Sequence, residues 1–278
     1  MTQQTLYRPT PPAGAPTDPA QRTSAVSMIF TVLGGLCLFF MLLVAILNIG
    51  AVTRAGSSFQ SADIRGINAV VVDAADATVE VKFADIDKAE LQLTNTDESK
   101  WHFGRENQTL LLSKSSSIGF CVFNCGIDRD NVVLTLPQEL SDGSLAGDFT
   151  VSSGSIEIAG NYAQFSLNVD AGSGSWVGQA HDVNVEVNAG RADIQADDVS
   201  QAALRVSAGR LSGTLSGNQP ENTELEVNAG RLDVRLPQGT YHVETDEAAG
   251  SVEERLQHDP TSPHRVSISV SAGSATVR

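Results

Sequence analysis

The 278-residue sequence contains few aromatic and few basic residues. Aromatic residues make up 5% of the chain, and 18 Lys and Arg stand against 33 Asp and Glu, giving a formal net charge of −15 at pH 7. This balance excludes nucleic acid as a partner, because a protein that binds it needs a basic surface to neutralise phosphates. The 24 glycines are typical instead of tight, repeated turns between short strands.

The motifs of the common enzyme classes are also missing. There is no Gly-x-Ser-x-Gly, His-Glu-x-x-His or P-loop pattern, and no Ca²⁺-binding nonapeptide with paired Gly and Asp. Asp-rich stretches at 73–87 and 193–198 are the feature that would suit a polysaccharide-active β-helix enzyme, but Asp between strands commonly forms turns. We therefore expect a protein that is not an enzyme, with no catalytic residue, metal or cofactor.

One long apolar run lies near the N-terminus. No charged residue occurs between Arg22 and Arg54, and "MIFTVLGGLCLFFMLLVAILNIGAV" fills residues 28–52. About 20 apolar residues suffice for a transmembrane helix, whereas the apolar part of a signal peptide has only about 7–15. We predict one uncleaved transmembrane α-helix at 25–52, which would contact the lipid bilayer.

The three cysteines bear on the orientation of that helix. Cys37 lies within the predicted span, whereas Cys121 and Cys125 lie together in "GFCVFNCGID". Two thiols this close in a strand-and-turn region favour a disulfide, which forms outside the cytoplasm, over two reduced thiols. A metal site is disfavoured because no second Cys or His pair accompanies them at ligand spacing. We expect a single-pass protein of the cell membrane with a cytoplasmic N-terminus and an extracytoplasmic C-terminal domain.

The rest of the chain is predicted to form one all-β domain at 63–278. Stretches such as "NAVVVDAADATVEVKF" alternate apolar and polar residues, which is the period of half-buried strands. No amphipathic helix is predicted after residue 55. The Pro-rich residues 1–24 are predicted to be a disordered tail, and residues 53–62 a linker between membrane and domain.

A short unit recurs from about residue 148 onward, most clearly as "EVNAGRADIQ" at 186–195 and "EVNAGRLDVR" at 226–235. Its glycines follow one another at separations of 18, 18, 19, 21, 20 and 23 residues. Short strands at a period near twenty predict a single-stranded parallel β-solenoid, or β-helix. The glycines are Gly154, Gly172, Gly190, Gly209, Gly230, Gly250 and Gly273.

The parity of the apolar positions changes at these glycines. Apolar residues are odd-numbered over 183–189 and even-numbered over 192–196, on either side of Gly190. A one-residue shift exchanges the two faces of a strand, so an unpaired residue must turn the chain if both halves face one core. The sequence predicts a corner at each Ala-Gly pair, with Gly at positive φ or in a bulge and Ala on the inside. The same register predicts that Trp176 points inward.

The charged residues of the repeat are predicted to point outward. Equivalent positions of successive coils lie about 4.8 Å apart, so Arg191, Arg210 and Arg231 are expected to be neighbours. Asp193 and Asp233 follow two residues later on the same face. The favoured interpretation is a ladder of surface ion pairs, and the alternative is an anion- or glycan-binding stripe.

Three features together resemble the bacterial putative-adhesin family of domains of unknown function: "INAVVVDAADATVEVKFAD", "DNVVLTLPQEL" and the units similar to "VSSGSIEIAG". The resemblance covers about residues 63–278 and implies a β-solenoid with a surface role and no defined catalytic apparatus. The Cys121–Cys125 insertion and the N-terminal span depart from a plain member.

The predicted function is that of a membrane-anchored, extracytoplasmic binding or adhesion module at the cell envelope. Its expected partner is a cell-wall polymer, a glycan or an envelope protein. The alternative is a sensor of envelope stress that works through a partner protein, and a polysaccharide-active enzyme is disfavoured.

Overall fold

The computed structural model describes residues 57–96, 98–115 and 130–278, which lie in a compact unit, Thr53–Arg278. This part is all-β, with two short 3-10 helices, Glu98–Lys100 and Gln138–Leu140. The strands are β1 Ser58–Ala62, β2 Ala69–Ala84, β3 Ala89–Thr94, β4 Trp101–Glu106, β5 Thr109–Lys114, β6 Asp130–Pro137, β7 Ala146–Ala159, β8 Tyr162–Val169, β9 Ser173–Val187, β10 Arg191–Asp197, β11 Gln201–Val206, β12 Arg210–Ser216, β13 Asn222–Val227, β14 Arg231–Arg235, β15 Thr240–Glu247, β16 Ser251–Glu254, β17 Gln257–His258, β18 Arg265–Val270 and β19 Ser274–Val277.

Some predicted features fall outside the described residues. They are the tail at 1–24, the transmembrane helix at 25–52 and the disulfide between Cys121 and Cys125. Within the three described ranges, no helix has both the length and the apolar character needed to cross a membrane.

The chain winds in coils, and each coil adds one strand segment to each of two faces. Neighbouring coils are parallel and in register. Face 1 stacks β5, the first part of β2, the first part of β7, β8, the second part of β9, β11, β13, β18 and β15. Face 2 stacks β6, the second part of β2, the second part of β7, the first part of β9, β10, β12, β14, β19 and β16.

The interior between the two faces is filled by alternate side chains of each strand. Val183, Val185 and Val187 on face 1 are buried, and so are Ala192 and Ile194 on face 2, while their sequence neighbours are exposed or half-buried. This confirms the parity change predicted at Gly190. The alanine before the glycine is a correction, because Ala189, like Ala208 and Ala229, is exposed on the outside of the bend rather than inside it.

Aromatic side chains fill the core in the coils nearest the N-terminal end. Trp176 is fully buried and stacks on Phe165, with ring centroids 3.8 Å apart and planes inclined by 12°. Its indole Nε1 donates a hydrogen bond to the Gly160 carbonyl oxygen at 3.2 Å. A Cβ on Gly178 would lie 1.8 Å from that same oxygen and 3.0 Å from the indole Nε1, so only glycine fits beside this hydrogen bond. The inward position predicted for Trp176 is confirmed.

The N-terminal end departs from the all-parallel arrangement that the sequence predicts. Strands β1 and β3, β3 and β6, and β4 and β5 pair antiparallel. Strand β1 also occupies residues assigned to the 53–62 linker. Its side chains are exposed or half-buried, so it is held mainly by backbone pairing with β3 and has no apolar period to reveal it.

The last two coils stack in the reverse of their sequence order. Strand β18 lies between β13 and β15, and β19 lies between β14 and β16. The inward positions explain this order. Val266 and Ile268 of β18 are buried, whereas their partners Val243 and Thr245 in β15 are half-buried and exposed. The more polar coil therefore ends the stack, as terminal repeats of solenoids do.

Candidate functional site

The corner glycines lie one above another along the axis. A Cβ on Gly190 would lie 2.2 Å from the Gly172 carbonyl oxygen, and one on Gly209 would lie 2.2 Å from the Gly190 oxygen. Such separations are far below van der Waals contact, so no side chain fits. In stacking order the ladder is Gly154, Gly172, Gly190, Gly209, Gly230, Gly273 and Gly250.

The reason that these positions are glycine differs from the one the sequence suggests. Of the seven, Gly154 alone has φ in the left-handed region, at 104°, and it lies opposite an irregularity in β2 between Ala75 and Ala77. At the other six positions the backbone conformation does not require glycine. Glycine is required there because the neighbouring coil places a carbonyl oxygen close to where a Cβ would be.

An open groove of about 990 Å³ follows this ladder. Its floor consists of the corner glycines of six stacked coils, Gly154 to Gly273, and the exposed alanines before them. Three arginines of the next position line it: Arg191, Arg210 and Arg231. Asp76, in the adjoining β2 coil, lies at one end of the groove, and Ser274, in the Gly273 coil, lies at the other. We call this feature the corner groove.

The floor of the corner groove carries backbone amides without a protein acceptor. The Ala189 amide donates to the Asp170 oxygen at 2.8 Å, and the Arg191 amide donates to the Gly172 oxygen at 3.0 Å. The amide between them, that of Gly190, donates to no acceptor in the described residues, and the same is true at Gly172, Gly209, Gly230 and Gly273. These glycines are half-buried on a surface open to solvent, so their amides are free to donate to water or to a ligand.

The three arginines form a row in strict register. Arg191 pairs with Arg210 across β10 and β12, and Arg210 pairs with Arg231 across β12 and β14. All three side chains are exposed. Ser173 and Ser274 continue the row on either side. We call Arg191, Arg210 and Arg231 the arginine row.

The predicted ladder of ion pairs is not formed. Among the described residues, no salt bridge joins the arginine row to Asp193 or Asp233. Asp233 instead pairs with Arg278 at 3.2 Å. The two aspartates line smaller depressions on face 2 and not the corner groove. The arginine row therefore has no carboxylate partner in the described part of the chain, and its three guanidinium groups are cationic lining of the groove.

The aspartates considered for catalysis act in turns where their contacts are described. Asp198 has φ of 53°, and its Oδ1 accepts hydrogen bonds from the Asn218 amide at 3.1 Å and side-chain nitrogen at 2.9 Å. Asp197 accepts from Ser216 Oγ at 2.8 Å. In the part of the chain that the structure describes, no three His, Cys, Asp or Glu side chains are placed to hold a metal ion. These contacts are structural, as is usual for Asp between strands.

The clearest pKa shifts lie away from the corner groove. The pKa of Asp63 is lowered to about 2, because Arg65 donates side-chain and backbone hydrogen bonds to its carboxylate. Burial raises the pKa of Tyr162, whose hydroxyl has no partner in the core. Neither group contributes to the groove, whose charged lining consists of the exposed arginines and Asp76.

The sequence did not single out Ser173 and Ser274 as site residues. Each follows a corner glycine, at the position that Arg191, Arg210 and Arg231 occupy in their coils. Alignment of the repeats on the glycine was the signal that could have found them.

The model of one protein family matches residues 67–278, under the description Toastrack DUF4097. The chain belongs to the Toastrack DUF4097 family. The matched region starts four residues after the domain boundary expected at 63 and contains the whole corner groove. A Toastrack domain therefore accounts for the all-β fold. No curated protein matches the chain.

Three of the solved structures that are similar to this Toastrack protein come from bacteria. They are a putative cell adhesion protein from Clostridium sporogenes (12% identity, 80% of this chain and 98% of that chain, TM-score 0.35), a putative adhesin from Bacteroides fragilis (13% identity, 80% and 97%, TM-score 0.35) and a putative lipid binding protein from Parabacteroides distasonis (14% identity, 80% and 97%, TM-score 0.34). TM-scores this low support no functional argument.

Proposed function

We propose that the protein is a non-catalytic binding module of the cell envelope, anchored in the membrane by residues 25–52, with its Toastrack domain outside the cytoplasm. The observation that carries the binding role is the corner groove, which is continuous over six coils and open to solvent. An elongated groove suits an elongated partner, such as a wall polymer or an extended chain of another molecule. The anchor rests on the uncharged run between Arg22 and Arg54.

The groove favours binding over chemistry. Its lining combines glycine, alanine, serine and arginine, with Asp76 at one end as the sole carboxylate among the lining residues. General acid–base catalysis needs a positioned pair of titratable groups, and a row of arginines offers donors but no base.

The location is tested by protease treatment of intact cells that make the full-length protein. The proposal expects loss of the Toastrack domain and survival of a short N-terminal fragment in the membrane fraction. Resistance of the domain until the cells are lysed would refute the extracytoplasmic location.

The binding role is tested by sedimentation of the full-length protein, in a non-ionic detergent, with purified cell-envelope material. Ala208→Trp places a large side chain on the exposed floor of the groove, and we expect it to abolish co-sedimentation. Ala249→Trp is the matched control, because Ala249 precedes a corner glycine in the terminal coil and does not line the groove. Equal binding by both variants would exclude the corner groove as the binding surface.

A further inference from the structure

We propose that the corner groove binds an extended polysaccharide that carries carboxylate groups, lying parallel to the solenoid axis with its carboxylates on the arginine row. This inference rests on the proposed function, because it names the class of polymer that the module binds.

The arginine row carries positive charge that no described carboxylate compensates. Like charges directly opposite each other on neighbouring strands destabilise a sheet. Arg191, Arg210 and Arg231 are opposite each other in register, and no described ion pair compensates them. Elsewhere in the domain an outward arginine does have partners, since Arg205 contacts Glu224 at 2.9 Å and Glu226 at 3.6 Å. A bound anion would supply the compensation that the arginine row lacks.

The groove lining is rich in hydrogen-bond donors. The arginine row offers guanidinium donors, whose fork geometry fits carboxylate groups in a bidentate manner. Ser173 and Ser274 add hydroxyl groups in the same row, and the corner-glycine amides add free N–H donors. A lining rich in donors fits a ligand rich in acceptors, and a carboxylated sugar chain presents carboxylate, hydroxyl and ring oxygens.

Spacing bears on the choice between a sugar chain and a peptide. The backbone positions of the arginine row repeat once per coil, about every 4.8 Å along the axis. Side chains on one face of an extended acidic peptide repeat about every 6.7 Å, so they fall out of step within three coils. A sugar chain carries hydroxyl and ring oxygens on every residue besides its carboxylates, so it can accept from the donors of successive coils without matching one carboxylate to each arginine. The lining therefore favours the polysaccharide over the peptide.

The surrounding acidic surface supports a ligand confined to the groove. The chain carries a formal net charge of −15, and Asp193 and Asp233 lie on face 2, two residues from the arginine row. Exposed charges are screened beyond about 8 Å at physiological ionic strength, so the arginine row acts on a ligand in direct contact with it. Asp193 and Asp233 disfavour a polyanion that lies on face 2 beside the arginine row.

The test is calorimetric titration of the full-length protein, in a non-ionic detergent, with polygalacturonate. Fully methyl-esterified polygalacturonate is the neutral ligand control, and polyglutamate is the peptide control. The protein variant replaces all three members of the arginine row by glutamine. Its matched control replaces Arg205, Arg235 and Arg265 by glutamine, which removes the same charge from positions that do not line the groove. Circular dichroism melts establish that each variant is folded.

We expect polygalacturonate to bind and its neutral ester not to bind. We expect the glutamine variant of the arginine row to lose at least about tenfold in affinity and the control variant to lose less than about twofold. Equal losses in the two variants, tighter binding of polyglutamate, or no binding of polygalacturonate would overturn the proposal. Envelope binding that Ala208→Trp abolishes but the arginine variant retains would refute this ligand class and leave the proposed function standing.

Discussion

The carbonyl oxygen of Gly209 lies 2.4 Å from the place where a Cβ on Gly230 would be, and Val206 Cγ1 lies equally close to that place. Two consecutive coils therefore touch through their backbones at the corner. This contact explains why the repeat keeps a glycine there while the residue after it is Arg in some coils and Ser in others.

Gly230→Ala tests this contact. The added methyl group would have to push apart two coils that hydrogen-bonded strands hold together, so we expect a loss of about 1–3 kcal/mol in the free energy of unfolding. The measurement is chemical denaturation of the full-length protein. Gly104→Ala is the matched control, since nothing lies within 4 Å of a Cβ at that position. If the two variants are equally stable, the corner is not a site of steric exclusion.

Thr223→Val should stabilise the domain. Thr223 is completely buried, its Oγ1 has no hydrogen-bond partner, and its neighbours in register are Ala202 and Val266. Replacing an unpaired buried hydroxyl by a methyl group of similar shape should raise the free energy of unfolding by about 1 kcal/mol. This corresponds to a rise in Tm of roughly 2–4 °C in a domain of this size. Thr223→Ser, which keeps the hydroxyl and loses the methyl group, should be less stable than the wild type. A lower Tm for the valine variant would contradict the absence of a partner.

The reversed order of the last two coils can be tested by cross-linking. Asp233 is in register with Thr276, and Thr276 is in register with Glu253. Paired cysteines at 233 and 276 lie one coil apart, within reach of a disulfide, whereas cysteines at 233 and 253 lie two coils apart, about 9.6 Å, and beyond its reach. Peptide mapping under non-reducing conditions should find the first bridge and not the second. The opposite result would restore the sequence order.

Arg65→Gln should raise the pKa of Asp63 from about 2 toward its ordinary value of 3.8. The folded state lowers this pKa, so the contact stabilises the fold above about pH 3.8 and its contribution is lost as the pH falls through about 2. Titration of the Asp63 carboxyl carbon by NMR measures the shift, with Arg265→Gln as a control that should leave it in place. An unchanged pKa of Asp63 in the Arg65→Gln variant would show that a group other than Arg65 lowers it.

The position of each corner was predictable from the sequence, and the reason for its glycine was not. The parity change at Gly190 is visible in the printed residues, because the alternation of valines before it breaks at one residue. The obstacle to a side chain is the oxygen of Gly172, a residue of another coil, and no local pattern reveals that distance.

The candidate site was predictable in its register but not in its contacts. The repeat aligns Arg191, Arg210 and Arg231, and the structure pairs them as the alignment implies. Whether an exposed arginine reaches an aspartate two residues away depends on side-chain geometry, which the spacing alone does not determine. The reversed order of the last two coils was not predictable from either strand alone. It follows from comparing the inward-facing residues of β15 with those of β18.

Amide hydrogen exchange of the full-length protein, with and without purified envelope material, tests the central claim most directly. We expect the envelope material to slow amide exchange in the corner segments 188–191, 207–210 and 228–231, which contain the unpaired glycine amides and the arginine row. Exchange in β15 and β16 of the terminal coil should stay unchanged. Two results would contradict the corner groove as the binding surface. One is slowed exchange in the strands of face 1 alone, and the other is unchanged exchange in the corner segments while the envelope material is bound.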